Sequence, residues 1–216
     1  MCGALAAEAH RMPYVLRPRG LRPALAALLG TTAICAAPAA AQAACPTAPT
    51  TKPFQVFGDG ANYSLAPGGA FESGSSGWAL SGASVASGNE SYKVHGAADA
   101  RSLAIAATGQ AVSPAFCVDI TNPYFRFFAR RTSGTWGALN VKLRWKDTSG
   151  HTNDTVVGSV SASDTGWHPT QFFGLSSVVG VWSPDQTTSV QIVFDPEDFG
   201  GSWAIDDVYI DPYSRG

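Results

Sequence analysis

The sequence lacks the short motifs that mark most known enzymes. It contains no HExxH metalloprotease motif, no GxSxG nucleophile elbow and no glycine-rich phosphate loop. Three of its four histidines, His95, His151 and His168, are well separated and show no metal-ligand spacing. We therefore expect no metalloprotease, serine hydrolase or nucleotide-binding enzyme. The enzymatic hypothesis that remains is a hydrolase whose carboxylate pair the sequence does not place.

Positive charge is also scarce. The chain has 14 lysine and arginine residues against 16 acidic residues, a formal net charge of −2. Four of the basic residues and one acidic residue lie within residues 1–43, which leaves ten basic against 15 acidic residues in the rest, a formal net charge of −5. Proteins that bind nucleic acid carry a dominant basic surface. We therefore expect no nucleic-acid partner.

The one extended apolar stretch lies near the N-terminus. A head with four arginines precedes an alanine-rich segment, and residues 41–43 read Ala-Gln-Ala. This order is typical of a cleaved secretory signal peptide over residues 1–43. A membrane anchor, or a lipid anchor on Cys35 or Cys45, is the alternative. We expect a secreted, extracellular protein with no membrane association after cleavage.

Cysteine is rare. Of the four cysteines, Cys2 and Cys35 lie within the expected signal, which leaves Cys45 and Cys117. In an oxidising compartment, two remaining cysteines most simply form one disulfide bond. We expect this bond to tie an N-terminal lead, residues 44–60, to the middle of the folded domain, residues 61–216.

No segment has the length and period of a long helix. Clusters of glycine, serine, asparagine and aspartate recur, for example at residues 58–60, 87–89 and 148–150, and the short runs between them alternate apolar and polar residues. Period-two alternation between frequent turns predicts an all-β sandwich or barrel. No internal repeat or break divides the chain, so one domain is expected.

Two strands are explicit in this alternation. In residues 123–131, one face carries Phe125, Phe127 and Ala129. In residues 139–146, the apolar face carries Leu139, Val141, Leu143 and Trp145. Alternation of this kind is typical of strands with one face in the core.

The opposite faces of these strands hold five of the ten basic residues: Arg126, Arg130, Lys142, Arg144 and Lys146. If the two strands are neighbours, these side chains form one basic sheet face. Such a face would suit an anionic glycan or a cell-envelope polymer, because arginine binds carboxylate and phosphate groups with two parallel hydrogen bonds. The alternative is a solvated face that protects the sheet from edge-to-edge aggregation.

The last strand changes phase along its length. Trp203 and Ile205 share one parity, whereas Val208 and Ile210 share the other. Both pairs can face the core only if an extra residue is inserted at residues 206–207 (Asp-Asp), which predicts a β-bulge. A buried carboxylate at this point needs a cation or several hydrogen bonds.

Two short motifs resemble a known family. Phe71-Glu72, followed after four residues by Gly77-Trp78, and the late run Ile205-Asp206-Asp207-Val208 are similar to motifs of β-jelly-roll carbohydrate-binding modules, the galactose-binding-like fold of secreted bacterial proteins. The resemblance implies a two-sheet antiparallel β-sandwich (jelly roll) whose first and last strands meet. It also implies a secreted, non-catalytic module that binds carbohydrate. A cell-envelope structural or interaction protein is the alternative.

The resemblance also implies a metal site. In many members of that family the paired terminal strands hold a structural calcium ion, which would lie beside Glu72 and Asp206. Calcium takes several oxygen ligands in a flexible shell, as carboxylates and loop carbonyls supply. The alternative is that both carboxylates accept backbone N–H bonds at turns and at the bulge. No other cofactor is expected.

Tryptophans at loop edges are the remaining ligand candidates. Trp136, Trp167 and Trp182 lie beside turn residues, whereas Trp145 and Trp203 follow the apolar parity of their strands. An exposed indole ring can stack on a sugar ring, and the alternative is that each indole pins its loop onto the sandwich. The predicted ligand set is Trp136, Trp167, Trp182, Arg126 and Arg144.

Overall fold

The structure, a computed structural model, describes residues 45–46, 48–119, 124–161, 163, 165–175, 187–197 and 201–211. The expected signal peptide and Trp182 lie outside the described residues. Within these ranges the chain forms twelve strands and one short 3₁₀-helix. No helix in these ranges has the length and apolar character needed to cross a membrane.

The secondary structure consists of short and medium strands in chain order. The 3₁₀-helix Gln55–Phe57 lies between the first two strands. The strands are β1 (Thr50–Thr51), β2 (Tyr63–Leu65), β3 (Ala79–Ser87), β4 (Arg101–Val112), β5 (Phe116–Val118), β6 (Tyr124–Arg131), β7 (Leu139–Lys146), β8 (Thr152–Val160), β9 (His168–Pro169), β10 (Phe173–Gly174), β11 (Thr188–Pro196) and β12 (Trp203–Asp211).

The strands form two layers that share one long hairpin, and every pair within the described ranges is antiparallel. In the first layer β12 lies between β4 and β6 and also pairs with β2. In the second layer β11 pairs with β4, β5 and β7, and β7 pairs with β8. The expected two-sheet antiparallel sandwich is confirmed.

The β3–β4 hairpin passes from one layer to the other at a pair of glycines. Residues 103–105 of β4 pair with β12, whereas residues 111–112 pair with β11. Between these points the register of β3 and β4 shifts, and Gly82 adopts φ +58°. A Cβ atom on Gly109 would collide with the carbonyl oxygen of Gly82. Glycine at this position therefore lets the two backbones approach where the hairpin bends.

The main core lies between the two layers and is built from the strand faces that the alternation predicted. Phe125, Phe127 and Ala129 of β6 are at most 1% exposed. The predicted face of β7 is buried except at its last member, Trp145, which is half-buried at the rim. Opposite them, β11 contributes a third buried set: Val190, Ile192 and Phe194.

The first and last strands meet, as the two motifs predicted. The amide of Ala66 donates to the carbonyl of Val208 at 2.8 Å, and the amide of Val208 donates to the carbonyl of Gly69 at 3.1 Å. Nearby, the rings of Phe71 and Trp78 pack with their centroids 5.0 Å apart. The two motifs, near the start and the end of the described chain, therefore lie side by side in the sandwich.

The bulge in β12 is also confirmed. The register against β6 shifts between Asp206 and Tyr209, and Asp207 adopts a left-handed φ of +48°. The apolar residues on both sides of the shift are buried in the main core: Trp203, Ile205, Val208 and Ile210. Because the side-chain period of a strand is two, only this insertion allows both halves to face the core.

The expected basic sheet face is wrong. Strand β6 pairs with β12, β9 and β10, whereas β7 pairs with β11 and β8. The two strands are not neighbours, so Arg126 and Arg130 belong to one layer and Lys142, Arg144 and Lys146 belong to the other. The cell-envelope hypothesis was based on a single basic face shared by these two strands, and the structure does not contain that face in the described residues.

The expected disulfide bond is present. Cys45 and Cys117 are joined, with 5.4 Å between their Cα atoms and 72 residues between them in sequence. Cys117 lies in β5, an edge strand of the second layer. The bond therefore fastens the start of the described chain to the sandwich.

Replacing both cysteines with serine is expected to lower the free energy of unfolding by about 4 kcal/mol, because the bond restricts the unfolded chain over a long loop. In a domain of this size the melting temperature should fall by roughly 8–16 °C. Calorimetry of the oxidised wild type and the double variant measures this difference. Equal melting temperatures would contradict a stabilising bond.

Candidate functional site

An open groove of about 800 Å³ lies on the second layer, at the end where β7 finishes and where β8 and β11 begin. Its walls come from four neighbouring segments: the end of β7, the start of β8, the start of β11 and the residue before β5. The lining residues are Ala115, Arg144, Trp145, Lys146, Thr152, Asp154, Thr188, Ser189 and Gln191.

A two-pronged ion pair forms one wall of the groove. Arg144 and Asp154 are direct cross-strand partners in β7 and β8. The Nε and Nη2 atoms of Arg144 donate to the two carboxylate oxygens of Asp154, both at 2.7 Å. The Arg144 guanidinium thereby lowers the pKa of Asp154, which stays ionised at neutral pH. The pair is partly exposed, so it presents donors and acceptors to solvent in a fixed plane.

Two further side chains in the groove are held by hydrogen bonds. The indole Nε1 of Trp145 donates to Oγ1 of Thr155 at 3.1 Å. The Nε2 atom of Gln191, which lies opposite Arg144 on β11, donates to the carbonyl of Ser113 at 2.8 Å. These bonds fix an aromatic ring and an amide beside the ion pair, so the polar groups are positioned before a ligand binds.

Of the predicted ligand residues, Arg144 lines the groove and Arg126 does not. The guanidinium of Arg126 lies 4.3 Å from the ring centre of Phe54 and 4.7 Å from that of Phe172. It also donates to Asp59 at 2.9 Å and to the carbonyl of Thr170 at 3.0 Å. Arg126 is therefore committed to contacts within the fold, and its expected place on an open basic face is corrected.

The predicted tryptophans lie apart from the groove. Trp136, between β6 and β7, is 76% exposed and does not line the groove. Trp167 is only 9% exposed and packs under the guanidinium of Arg130, 4.9 Å from its ring centre. Trp167 thus follows the alternative, in which the indole pins a loop onto the sandwich. A ligand role for Trp136 and for Trp182 stays a prediction.

Sequence reasoning missed Trp145, Asp154 and Gln191. The alternation assigned Trp145 to the core; the ring packs against the core but is only half-buried, one residue before β7 ends. A signal for Asp154 was available, because a hairpin turn centred on Ser149 places Asp154 opposite Arg144. No sequence signal marks Gln191, which reaches the groove only through the pairing of β11 with β7.

The two carboxylates of the implied calcium site accept backbone hydrogen bonds. Glu72 Oε1 accepts from the amides of Ala100 and Arg101, at 2.9 and 2.8 Å. Asp206 accepts from the amides of Glu90 and Asp207, both at 2.9 Å. These contacts match the hydrogen-bonding alternative, in which carboxylates satisfy donors at turns and at the bulge. Calcium at Glu72 and Asp206 stays a prediction.

Four acidic side chains are buried where the loop after β3 meets β12: Glu90, Asp99, Asp206 and Asp207, none more than 8% exposed. Burial raises the pKa of Asp206 well above its usual range, and the adjacent Asp207 carboxylate raises it further. The phase change in the last strand predicted that Asp206 and Asp207 lie at a bulge. No pattern in the sequence marks Glu90.

Comparison with known proteins gives structural neighbours only. No family model matches the sequence, and no curated protein matches it. Several solved structures are similar, and those named below are carbohydrate-binding modules or contain one.

One is the CBM22-1–GH10 part of an endo-1,4-β-D-xylanase 10B from Clostridium thermocellum complexed with xylohexaose. It has 16% identity and a TM-score of 0.46, over 67% of this chain and 28% of that chain. Another is the CBM22-1 xylan-binding domain of Xyn10C from Paenibacillus barcinonensis, with 15% identity and a TM-score of 0.44, over 65% and 88%. A third is a family 61 module in complex with β-1,4-galactotriose, with 17% identity and a TM-score of 0.39, over 68% and 96%. The chain thus spans little more than a quarter of the first of these structures.

The raised pKa of Asp206 predicts a pH-dependent stability. A carboxyl group with a higher pKa in the folded than in the unfolded chain stabilises the fold at low pH, and this stability is lost as the pH rises above about 4. In buffer containing EDTA, the melting temperature should therefore fall between pH 5 and pH 8. Asp206→Asn should reduce that fall, because the amide stays neutral and still accepts the Glu90 amide.

Asp154→Asn serves as the control. The pKa of Asp154 is lowered, so its contribution is lost only as the pH falls. This variant should keep the wild-type slope between pH 5 and pH 8. Identical slopes for the wild type and Asp206→Asn would contradict the raised pKa.

Proposed function

We propose that this chain is a secreted, non-catalytic carbohydrate-binding module, and that a stretch of polysaccharide lies in the groove on the second layer. The observation that carries this proposal is the Arg144–Asp154 pair, held in an open groove beside Trp145 and Gln191. Sugars present many hydroxyl groups, each of which donates and accepts. A fixed set of charged donors and acceptors next to an aromatic ring suits such a ligand.

The size and openness of the groove support a chain-like ligand. At about 800 Å³, the groove is near the upper end of the volumes of small-molecule sites. It runs across neighbouring segments of the sheet surface instead of closing into a cavity. An open site of this size can admit one stretch of a longer oligosaccharide, which favours a polymer over a single sugar.

The charges in the groove support binding without hydrolysis. Glycoside hydrolysis uses two carboxyl groups, one of which must be protonated to act as an acid. Among the lining residues that the structure describes, Asp154 is the single carboxylate, and Arg144 keeps it ionised. A carboxylate held in this way serves as a hydrogen-bond acceptor for hydroxyl groups.

Arg144→Ala is expected to weaken binding to polysaccharide by at least about tenfold, because it removes charge-assisted hydrogen bonds to the ligand and releases Asp154. Affinity electrophoresis in gels that contain xylan, galactan or a soluble β-glucan measures this loss. Gln191→Ala should weaken binding to the same polymer, since Gln191 lines the groove beside Arg144 on the neighbouring strand.

Lys142→Ala is the matched control for this experiment. Lys142 lies on the same outward face of β7 and forms an ion pair with Asp195, but it does not line the groove. Its replacement should leave the affinity unchanged. Equal losses in Lys142→Ala and Arg144→Ala, or retention by Arg144→Ala at its wild-type level, would contradict the proposed site.

We also keep structural calcium at Glu72 and Asp206 as a proposal. Calcium binding there would raise the melting temperature of chelator-treated protein when CaCl₂ is added, and Glu72→Gln should abolish that rise. An absence of any rise in the wild type would leave both residues as hydrogen-bond acceptors alone.

A further inference from the structure

The loop between β3 and β4 brings three metal-binding side chains together, away from the groove. One ligand atom from each of His95, Asp99 and Asp207 lies within 4.8 Å of the others. His95 and Asp99 belong to the loop, whereas Asp207 belongs to the bulge of β12. We propose that these three side chains bind a divalent transition-metal ion, and that zinc is the ion that suits them.

The loop holds two of the three ligands in place. His95 Nδ1 and Asp99 Oδ1 are 3.0 Å apart, and the amide of Gly96 donates to Asp99 Oδ2 at 2.6 Å. Asp99 is 8% exposed, whereas the side chain of His95 is 38% exposed. The carboxylate is therefore fixed from the protein side, and an ion can enter from the solvent side past the imidazole.

Asp207 gives an independent sign of a missing partner. Its side chain is 1% exposed, and its Oδ2 atom has no hydrogen-bond partner among the described residues. A buried carboxylate oxygen without a partner is costly, because it has lost its water and gained nothing in return. A metal ion held with His95 and Asp99 would give this oxygen the partner it lacks.

The surrounding charge favours a cation. Glu90 and Asp99 are the negative groups that act most strongly on Asp207, and Asp206 is next to it in the chain. Burying these carboxyl groups together makes their ionisation unfavourable, and a divalent ion would supply the positive charge that lets them ionise.

The ligand types favour zinc over calcium. Imidazole nitrogen with carboxylate oxygen suits zinc, whereas calcium takes six to eight oxygen ligands. Zinc bonds of about 2.0–2.2 Å in a tetrahedron place neighbouring ligand atoms about 3.4 Å apart. The 3.0 Å between His95 Nδ1 and Asp99 Oδ1 is close to that spacing. The Asp207 ligand atom lies within 4.8 Å of both, so it would have to approach by at most about 1.4 Å. A water molecule would complete the shell. None of the three residues belongs to the pair implied for calcium.

The test is a titration of the whole chain after treatment with EDTA and removal of the chelator. Adding ZnCl₂ to roughly 100 times the dissociation constant should raise the melting temperature by about 5–10 °C, because the ion binds only the folded chain. Calorimetric titration should give one zinc per chain. The Glu72→Gln variant removes the proposed calcium site, so in that variant CaCl₂ and MgCl₂ should give no rise, whereas ZnCl₂ should still give it.

His95→Ala should abolish the rise with zinc, and His151→Ala is the matched control. His151 and Asp147 show the same spacing of four residues as His95 and Asp99, with 3.6 Å between their side chains, but His151 is 80% exposed on a turn. No third ligand joins that pair among the described residues. The control should therefore keep the full response.

Asp207→Asn separates metal binding from a purely structural role. In EDTA its melting temperature should equal or exceed that of the wild type, because the variant removes a buried charge, whereas with zinc it should show no rise. The visible absorption of bound Co²⁺ should be lost in both His95→Ala and Asp207→Asn. The proposal is overturned if the wild type shows no rise with zinc, if His95→Ala keeps it, or if CaCl₂ produces the same rise in the Glu72→Gln variant.

Discussion

The fold depends on the way in which the last strand is paired. Strand β12, the last in the chain, pairs with the early strand β2 and with the middle strands β4 and β6. It therefore joins segments that are far apart in sequence. It can bury both of its halves only because one residue is inserted near Asp207. The free energy of burying Trp203, Ile205, Val208 and Ile210 outweighs the strain of a left-handed aspartate, since each large apolar side chain contributes about 1.5–3 kcal/mol.

The same insertion has an electrostatic consequence. It holds Asp206 and Asp207 in the interior, where water cannot stabilise their charges. Backbone amides satisfy Asp206, and the loop that carries His95 and Asp99 covers Asp207. Because these carboxyl groups are buried, the stability of this region depends on pH and on the binding of cations.

The groove depends on a different part of the sandwich, the pairing of β7 with β8 and β11. This pairing places Arg144 between Asp154 on one side and Gln191 on the other. The strand then ends at Trp145 and Lys146, so the indole lies at the rim instead of deep in the core. Rigid strands thus hold the proposed ligand-binding side chains, and the β3–β4 loop that carries the proposed metal site belongs to another part of the molecule.

The sequence by itself determined the strand faces, the bulge and the disulfide bond, because each follows from local periodicity or from the presence of just two cysteines outside the expected signal. It also marked Arg144 as a candidate. Only the tertiary structure decided which strands are neighbours, and this separated Arg126 from Arg144 and buried Trp167 under Arg130. The physical reason is that alternation records which face of a strand is apolar, whereas the partners of that strand are selected by contacts between residues far apart in sequence.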